Sequence, residues 1–227
     1  MIAWMSLTYA PSTLGTMAIA LKALIFDYGN VLCLPQERAD VQAMASIFGM
    51  GADEYAPLYW RDRYPYDEGK LDAFAYWQGV AEQAGRTLTA GEIEELRRID
   101  IVSWCNPSPK MIDFARRVRA GGVRTALLSN MPMDLRTYLT SEVPWLPEFD
   151  HLTFSCDVKM VKPDAGIYRH CLAGLGVRPE EALFLDDRPD NVEAAHALGI
   201  HAIVFTTPCE AAAALDGRFD LPARIER

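Results

Sequence analysis

The chain has 227 residues, half of them hydrophobic, with 31 acidic against 22 basic side chains and a net charge of −9. That length supports one substantial core with room for a small accessory module. The acidic balance argues against a nucleic-acid or anionic-membrane binder, because both need a basic surface; small anionic substrates stay open, since a metal ion or a lysine can reverse the field locally.

Residues 1–19 read as an extension. No Lys or Arg precedes Lys22, so the basic start of an export signal is missing, and Pro11 and Gly15 interrupt the apolar run. Met17 offers an alternative start. Nowhere does the sequence approach the ~20 uninterrupted apolar residues that span a bilayer. KALIFD (22–27) is a short apolar run suited to a buried parallel strand. From 36 to 104 aromatic residues become dense and helical periodicity takes over. Residues 70–84 place Leu71, Phe74, Trp77, Val80 and Ala81 on one face. Thr89-Ala90-Gly91-Glu92 has the form of a capping box opening the next helix. The segment reads as an all-helical insert.

Beyond Asn106-Pro107-Ser108-Pro109 the rhythm is regular. A helix at 110–120 stops at Gly121-Gly122, and the strand VRTALLSN (123–130) follows. Next come a helix near 132–140, a strand near 150–155, a helix over 163–175 closed by Gly176, and the strand ALFLDD (182–187). A helix at 189–198 stops at Gly199, and HAIVFTT (201–207) completes the series. Strands alternating with helices of this length predict an α/β fold on a parallel sheet. The expected organisation is an α/β core from 20–35 and 105–227, interrupted by the helical module at 36–104. The five cysteines, Cys33, Cys105, Cys156, Cys171 and Cys209, are odd in number and widely spaced without a CxxC. They fit small buried hydrophobes in a reducing cytoplasm; a zinc site or a catalytic thiol is the alternative.

In an open parallel sheet, ligands bind beyond the carboxyl ends of the strands. Asp27, Ser129-Asn130 and Asp186-Asp187 fall there, and Lys162 lies in the loop before a helix that Pro163 is suited to open. Singly, each has an ordinary explanation: Asp27 and Ser129 as turn or cap residues, Asp187 beside a helix N-terminus, Lys162 in solvent. Jointly they deliver three carboxylates, an ammonium and a hydroxyl to one edge. Clustered carboxylates repel unless a cation intervenes, and Mg²⁺ suits hard oxygen donors. With Lys162 and Ser129 such a site accepts a phosphoryl group, and a carboxylate in line with the phosphorus can act as nucleophile.

FDYGNVL, LLSN, VKPDAGIY and FLDDRPDNVEAA, in this order, resemble the four motifs of the haloacid dehalogenase (HAD) superfamily of hydrolases, from about Lys22 to Thr206. The resemblance implies a Rossmann-like core with a small helical cap of the C1 type at 36–104, as in subfamily I. It implies a Mg²⁺-dependent phosphatase with Asp27 as nucleophile, Ser129 and Lys162 holding the phosphoryl group, and Asp187, with Asp186 assisting, on the metal. Asn130 and Asn191 look like hydrogen-bonding support. Within YAPLYWRDRYPYDEGK, Tyr59, Trp60, Arg61 and Tyr64 are candidates to line a substrate pocket, or else are simply the small core of the cap. The first motif departs from the family's usual DxD. Gly29 stands where the second aspartate serves as proton donor; that position's backbone carbonyl, a metal ligand in the family, is retained. The form is similar to FDLGNV-type members, glucose-1-phosphate phosphatases among them. The expected partner is therefore a small phosphorylated metabolite, a sugar phosphate being one candidate, with no nucleic acid or membrane, and a monomer or homodimer in the cytoplasm. The alternatives are a metal-independent 2-haloacid dehalogenase and a weakly active phospho-ligand-binding domain.

Overall fold

Five parallel strands, Ala23–Phe26 (β2), Arg124–Ser129 (β3), His151–Phe154 (β4), Ala182–Asp186 (β5) and His201–Val204 (β6), run in the order β4-β3-β2-β5-β6 at the centre of the computed structural model, which describes residues 18–226. Most of the expected N-terminal extension, residues 1–17, lies outside the described residues. Ile19 and Ala20 (β1) pair in parallel with Phe219 and Asp220 (β7), so the last residue of that expected extension and the first of the expected core join a small two-stranded ribbon. The first strand of the main sheet, Ala23–Phe26 (β2), is wholly buried. Its alternating side chains feed two cores. Leu24 and Phe26 join one cluster, and Ala23 and Ile25 join the other. A strand covered on both faces needs apolar residues at every position, which is why the sequence shows a continuous run.

A tight turn over Tyr28–Leu32 follows β2, and the chain then forms five helices: α1 (Arg38–Ile47), α2 (Ala52–Arg61), α3 (Arg63–Asp67), α4 (Ala73–Gln83) and α5 (Ala90–Ser103). They pack around their own apolar cluster, in which Tyr55, Tyr66, Tyr76 and Trp77 are fully buried. Thr89 and Glu92 form the expected capping box of α5. On α4 the buried face is Ala73, Tyr76, Trp77, Val80 and Ala81. Phe74, expected inside, is 55% exposed. The helix starts at Ala73 behind the Asp72 cap, so the i, i+3, i+4 stripe runs through Tyr76 and turns Phe74 to solvent. The two chain crossings into and out of this helical segment lie side by side, joined by a Cys33–Pro107 bridge and a Leu34 N to Asn106 O bond of 2.7 Å.

The remainder alternates as expected: α6 (Pro109–Ala120), β3 (Arg124–Ser129), α7 (Met133–Glu142), β4 (His151–Phe154), the short α8 (Ser155–Val158), α9 (Ala165–Leu175), β5 (Ala182–Asp186), α10 (Pro189–Ala197), β6 (His201–Val204) and α11 (Pro208–Leu215). Helix α9 begins two residues later than Pro163, because Asp164 caps it by accepting from Gly166 N at 2.6 Å. Strand β6 ends at Val204, and Thr207 becomes the cap of α11. The chain lays β3 and β4 on one side of β2, then crosses over to lay β5 and β6 on the other. The direction of winding reverses between β2 and β5, which makes the crevice at their carboxyl ends the expected ligand site. Among the described residues no helix is long and apolar enough to cross a membrane.

Candidate active site

Strand register brings the acids together. Phe26 pairs with Leu185 across β2 and β5, so Asp27 and Asp186, each one residue further on, leave neighbouring strands side by side. The Asp27 amide donates to Leu185 O at 2.9 Å, extending the ladder to that point. Neighbouring strands lie ~4.8 Å apart, so two carboxylates there need a cation between them. Lys162 supplies it, with its Nζ 2.8 Å from Asp27 Oδ1 and 2.6 Å from Asp186 Oδ2. Its third donor reaches Leu128 O on β3, at 3.0 Å. All three ammonium donors are thus used, and Lys162 is only 1% exposed. Burial opposes its charge, but Asp186 and Asp27 outweigh that and hold the ammonium protonated.

Asn130 fixes this lysine from behind. Its side chain accepts from Lys162 N at 2.8 Å and donates to Lys162 O at 2.9 Å. Asn191 donates to both oxygens of Asp186, at 3.0 and 3.1 Å. The Arg188 amide adds a bond to Asp186 Oδ1 at 2.8 Å. Asp186 is therefore saturated and fully buried. Asp187 is more open, and its Oδ2 accepts from Asn30 Nδ2 at 2.7 Å. Asn30 makes this reach from a left-handed backbone, at φ 57°, a conformation that Asn tolerates better than most residues. The sequence reading missed Asn30; the Gly-Asn pair straight after the strand was the available signal.

The electrostatics favour a further cation. Burial pushes the Asp27 carboxyl up to about 7; Lys162 opposes the rise, while Asp186 and Asp187 add to it. Burial likewise raises Asp187, with Asp186 contributing. Asp27, Asp186 and Asp187 each present an oxygen within 4.8 Å of the others. Among the described residues, Asp27 Oδ2 and Asp187 Oδ1 accept no hydrogen bond. Among the described residues Asn191 Oδ1 is buried without a partner, and Asn191 lines the cavity beside these acids, an acceptor suited to a metal-bound water. Hard oxygen donors with free lone pairs fit Mg²⁺, which is held by one or two carboxylates with water and substrate oxygens completing its shell. Asp27 and Asp187 have the free oxygens for this, whereas those of Asp186 are taken.

Asp27, Lys162, Asp187 and Asn191 line the floor of a cavity of about 460 Å³. Ser129, 2% exposed, ends β3 at its edge, and its hydroxyl makes only a long contact of 3.4 Å to Asn130 O. Gly29 lies opposite Trp104; a Cβ there would come to 3.4 Å from the indole ring, an ordinary contact. The helical segment contributes Trp60, Arg63, Tyr64 and Asp67 to the wall, and Trp104, Met131 and Leu135 add apolar surface. Of the four expected pocket residues, Trp60 and Tyr64 line the cavity, and Tyr59 and Arg61 do not. Tyr59 points into the helical core, where its hydroxyl donates to Asp100 Oδ1 at 2.6 Å and accepts from Arg63 at 2.6 Å and Trp104 Nε1 at 3.1 Å. Arg61 lies on the solvent side of α2. The helical phase separates these neighbours: Tyr55 and Tyr59, four apart, share the buried stripe. The sequence reading missed Arg63, Asp67, Trp104 and Arg188.

A family profile described as haloacid dehalogenase-like hydrolase matches residues 21–199. The chain belongs to this family. Mouse acyl-CoA dehydrogenase family member 10 is 35% identical over 121 residues, which is 52% of this chain but only 11% of that protein. Sesquiterpene phosphatase astK of Aspergillus oryzae is 27% identical over 191 residues, covering 84% of this chain and 92% of the phosphatase. Among solved structures, a HAD family enzyme of Bacteroides thetaiotaomicron in complex with magnesium and inorganic phosphate shares 19% identity at a TM-score of 0.66, over 82% of this chain and 94% of its own. The L-2-haloacid dehalogenase of Xanthobacter autotrophicus shares 18% at 0.62, over 80% and 76%. At such identities the two structures speak for the fold. This chain is a HAD-like hydrolase with phosphatase relatives.

Proposed function

We propose that this protein is a Mg²⁺-dependent phosphatase of small phosphorylated metabolites, working through a phosphoryl-enzyme on Asp27. The observation that carries the reading is the division of labour among the acids. Asp186 is spent on holding Lys162, while Asp27 and Asp187 keep oxygens free beside it. In this reading Lys162 steers and neutralises the incoming phosphoryl group, and the Ser129 hydroxyl donates to a non-bridging oxygen. Asp27 attacks phosphorus through its free oxygen, and water later releases phosphate from the acyl phosphate. Mg²⁺, held by Asp27, Asp187 and the Gly29 carbonyl, would offset the charge of the phosphoryl oxygens against these carboxylates. Asn130 and Asn191 keep Lys162 and Asp186 in register.

Residues 36–104 act as the cap in this proposal, a C1-type insert that excludes water and reads the leaving group. Trp60 and Tyr64, with Trp104 beside them, give that cavity wall a flat, partly apolar face. Sugar rings and other compact organic groups suit it, and sugar 1-phosphates belong in the first panel because of the similarity of FDYGNVL to FDLGNV-type enzymes. All five cysteines are free thiols, which supports a reducing cytoplasm. The fold likeness to a dehalogenase leaves metal-independent dehalogenation as the second reading; the free oxygens of Asp27 and Asp187 weigh against it. Phosphate release from p-nitrophenyl phosphate in Mg²⁺ and in EDTA tests the proposal. The expectation is turnover in Mg²⁺, none in EDTA, and none from Asp27→Asn. Chloride release from 2-chloropropionate in EDTA would favour the dehalogenase instead.

A further inference from the structure

Gly29 removes the side chain that would protonate a leaving oxygen, yet the helical segment brings another carboxyl group to the cavity. Asp67, the last residue of α3, lines the same cavity as Asp27, Ser129 and Lys162. It is 6% exposed, and Arg63 Nε donates to its Oδ1 at 2.8 Å. Among the described residues, Asp67 Oδ2 accepts no hydrogen bond. Its backbone is tied to the site itself. The Ser155 hydroxyl donates to Asp67 O at 2.5 Å and accepts from Met131 N at 2.9 Å. One hydroxyl therefore separates the Asp67 backbone from the loop that follows Ser129.

We propose that Asp67 is the general acid and base of this enzyme, taking from the helical segment the role that the first motif lacks. The inference rests on the phosphatase reading above. In the first step Asp27 forms a P–O bond, the ester P–O bond breaks, and the leaving oxygen takes the proton of Asp67. In the second, water attacks phosphorus, its proton passes to the Asp67 carboxylate, and the bond to Asp27 breaks. Asp67 ends as it began, and the products are an alcohol and phosphate.

The other cavity groups are less suited. Asp187 and Asp27 are the residues that would hold the metal. The Tyr28 hydroxyl is committed to Trp104 O at 2.6 Å, and Arg63 and Arg188 remain charged. Tyr64 carries a free proton, but its hydroxyl already accepts from Arg188 at 3.0 Å. Burial raises the Asp67 carboxyl to about 6, against the opposing pull of Arg63 and, from the core, Lys162; Asp100 on α5 adds to the rise. The rings of Tyr59, Tyr66 and Tyr76 enclose Arg63 and hold that geometry. A carboxyl in this range exchanges protons near neutral pH, as a general acid must.

The test compares a poor leaving group with a good one, because only the poor one depends on protonation. For Asp67→Asn, kcat/KM on an alkyl phosphate should fall about 100-fold further than on p-nitrophenyl phosphate. Asn retains an oxygen for Arg63 Nε, and circular dichroism checks folding. Gly29→Asp added to Asp67→Asn should recover at least part of the alkyl-ester activity, since the Gly29 site admits a Cβ. An unchanged ratio in Asp67→Asn overturns the assignment while the phosphatase reading stands. A wild-type enzyme with no Mg²⁺-dependent release from either ester overturns both.

Discussion

Two buried ion clusters, one in the α/β core and one in the helical segment, share a plan: a single cation held between two aspartates. In the core, Lys162 joins Asp27 and Asp186. In the helical segment, Arg63 joins Asp67 and Asp100, with Nη1 3.1 Å from Asp100 Oδ2. The supports differ. The core cluster is assembled by strand register from three strand ends and one loop, each distant in sequence. The other is half local, because Arg63 and Asp67 are four apart on one helical turn, and only Asp100 comes from α5. A lysine delivers three point-like donors to three separate acceptors, and in the proposed mechanism releases one to an incoming phosphoryl oxygen. An arginine makes a planar, stacked anchor, and Arg63 is enclosed by three tyrosine rings. In the proposed mechanism the first cluster exchanges partners, and the second stays put and presents Asp67.

Breaking the core cluster should have the largest effect. Lys162→Met leaves Asp27 and Asp186 buried without their cation, so phosphatase activity should disappear and stability should fall by about 3–5 kcal/mol in urea titration. The second cluster should show a smaller loss of turnover from an equally drastic change. Arg63→Met strands Asp67 and Asp100, and should cost about 3 kcal/mol while leaving measurable activity on p-nitrophenyl phosphate, because the nucleophile and its lysine are untouched. Complete inactivity of a folded Arg63→Met protein would mean that the two clusters are not separable in this way.

The comparison sharpens with pH. The Asp27 carboxyl is raised in the folded protein from 3.8 to about 7, and that of Asp67 to about 6. As pH rises from about 4, the unfolded chain loses these protons first, so metal-free stability should fall through the window up to about 7 and then level off. Asp27→Asn removes its share of that slope, and should therefore be more stable than wild type at pH 8 in EDTA, with the gap closing at pH 4. Added Mg²⁺ should stabilise wild type at pH 8, and do so far more weakly for Asp27→Asn. Thermal unfolding at the two pH values reads both outcomes. The smallest effect belongs to the rim. Trp60 is half exposed and packs edge-on against Trp104 at 6.3 Å. Trp60→Ala should raise KM for the physiological ester with kcat little changed, and shift stability by no more than about 1 kcal/mol.

The core cluster was legible in the sequence, and the helical one was not. Short apolar runs that end on Asp27, Ser129 and Asp186 reveal themselves because a strand buried on both faces has no other composition available. Once the strand ends are known, parallel topology dictates that their side chains meet. Nothing comparable marks Arg63, Asp67 and Asp100. A basic and an acidic residue four apart on a helix ordinarily lie in solvent, and it takes the packing of α3 against α4 and α8, with Asp100 reaching in from α5, to bury this pair. Aromatic density flagged the right stretch but not the right faces. Tyr59 turned inward and Trp60 toward the cavity, a difference of one residue that depends on where α2 begins. The same one-residue phase exposes Phe74 and buries Tyr76. Asn30 escaped because its contribution depends on a left-handed backbone rather than on a strand end.

The central claim is that Asp27, held by Lys162 and provided with Mg²⁺, takes the phosphoryl group. The most direct measurement is intact-protein and peptide mass spectrometry of enzyme mixed with a phosphate ester and quenched in acid within the first turnover. The account predicts one added phosphoryl group on the peptide containing Asp27, present with Mg²⁺ and absent with EDTA or in Asp27→Asn. Turnover without any phosphoryl adduct under single-turnover conditions, or an adduct that persists in Asp27→Asn, would contradict it.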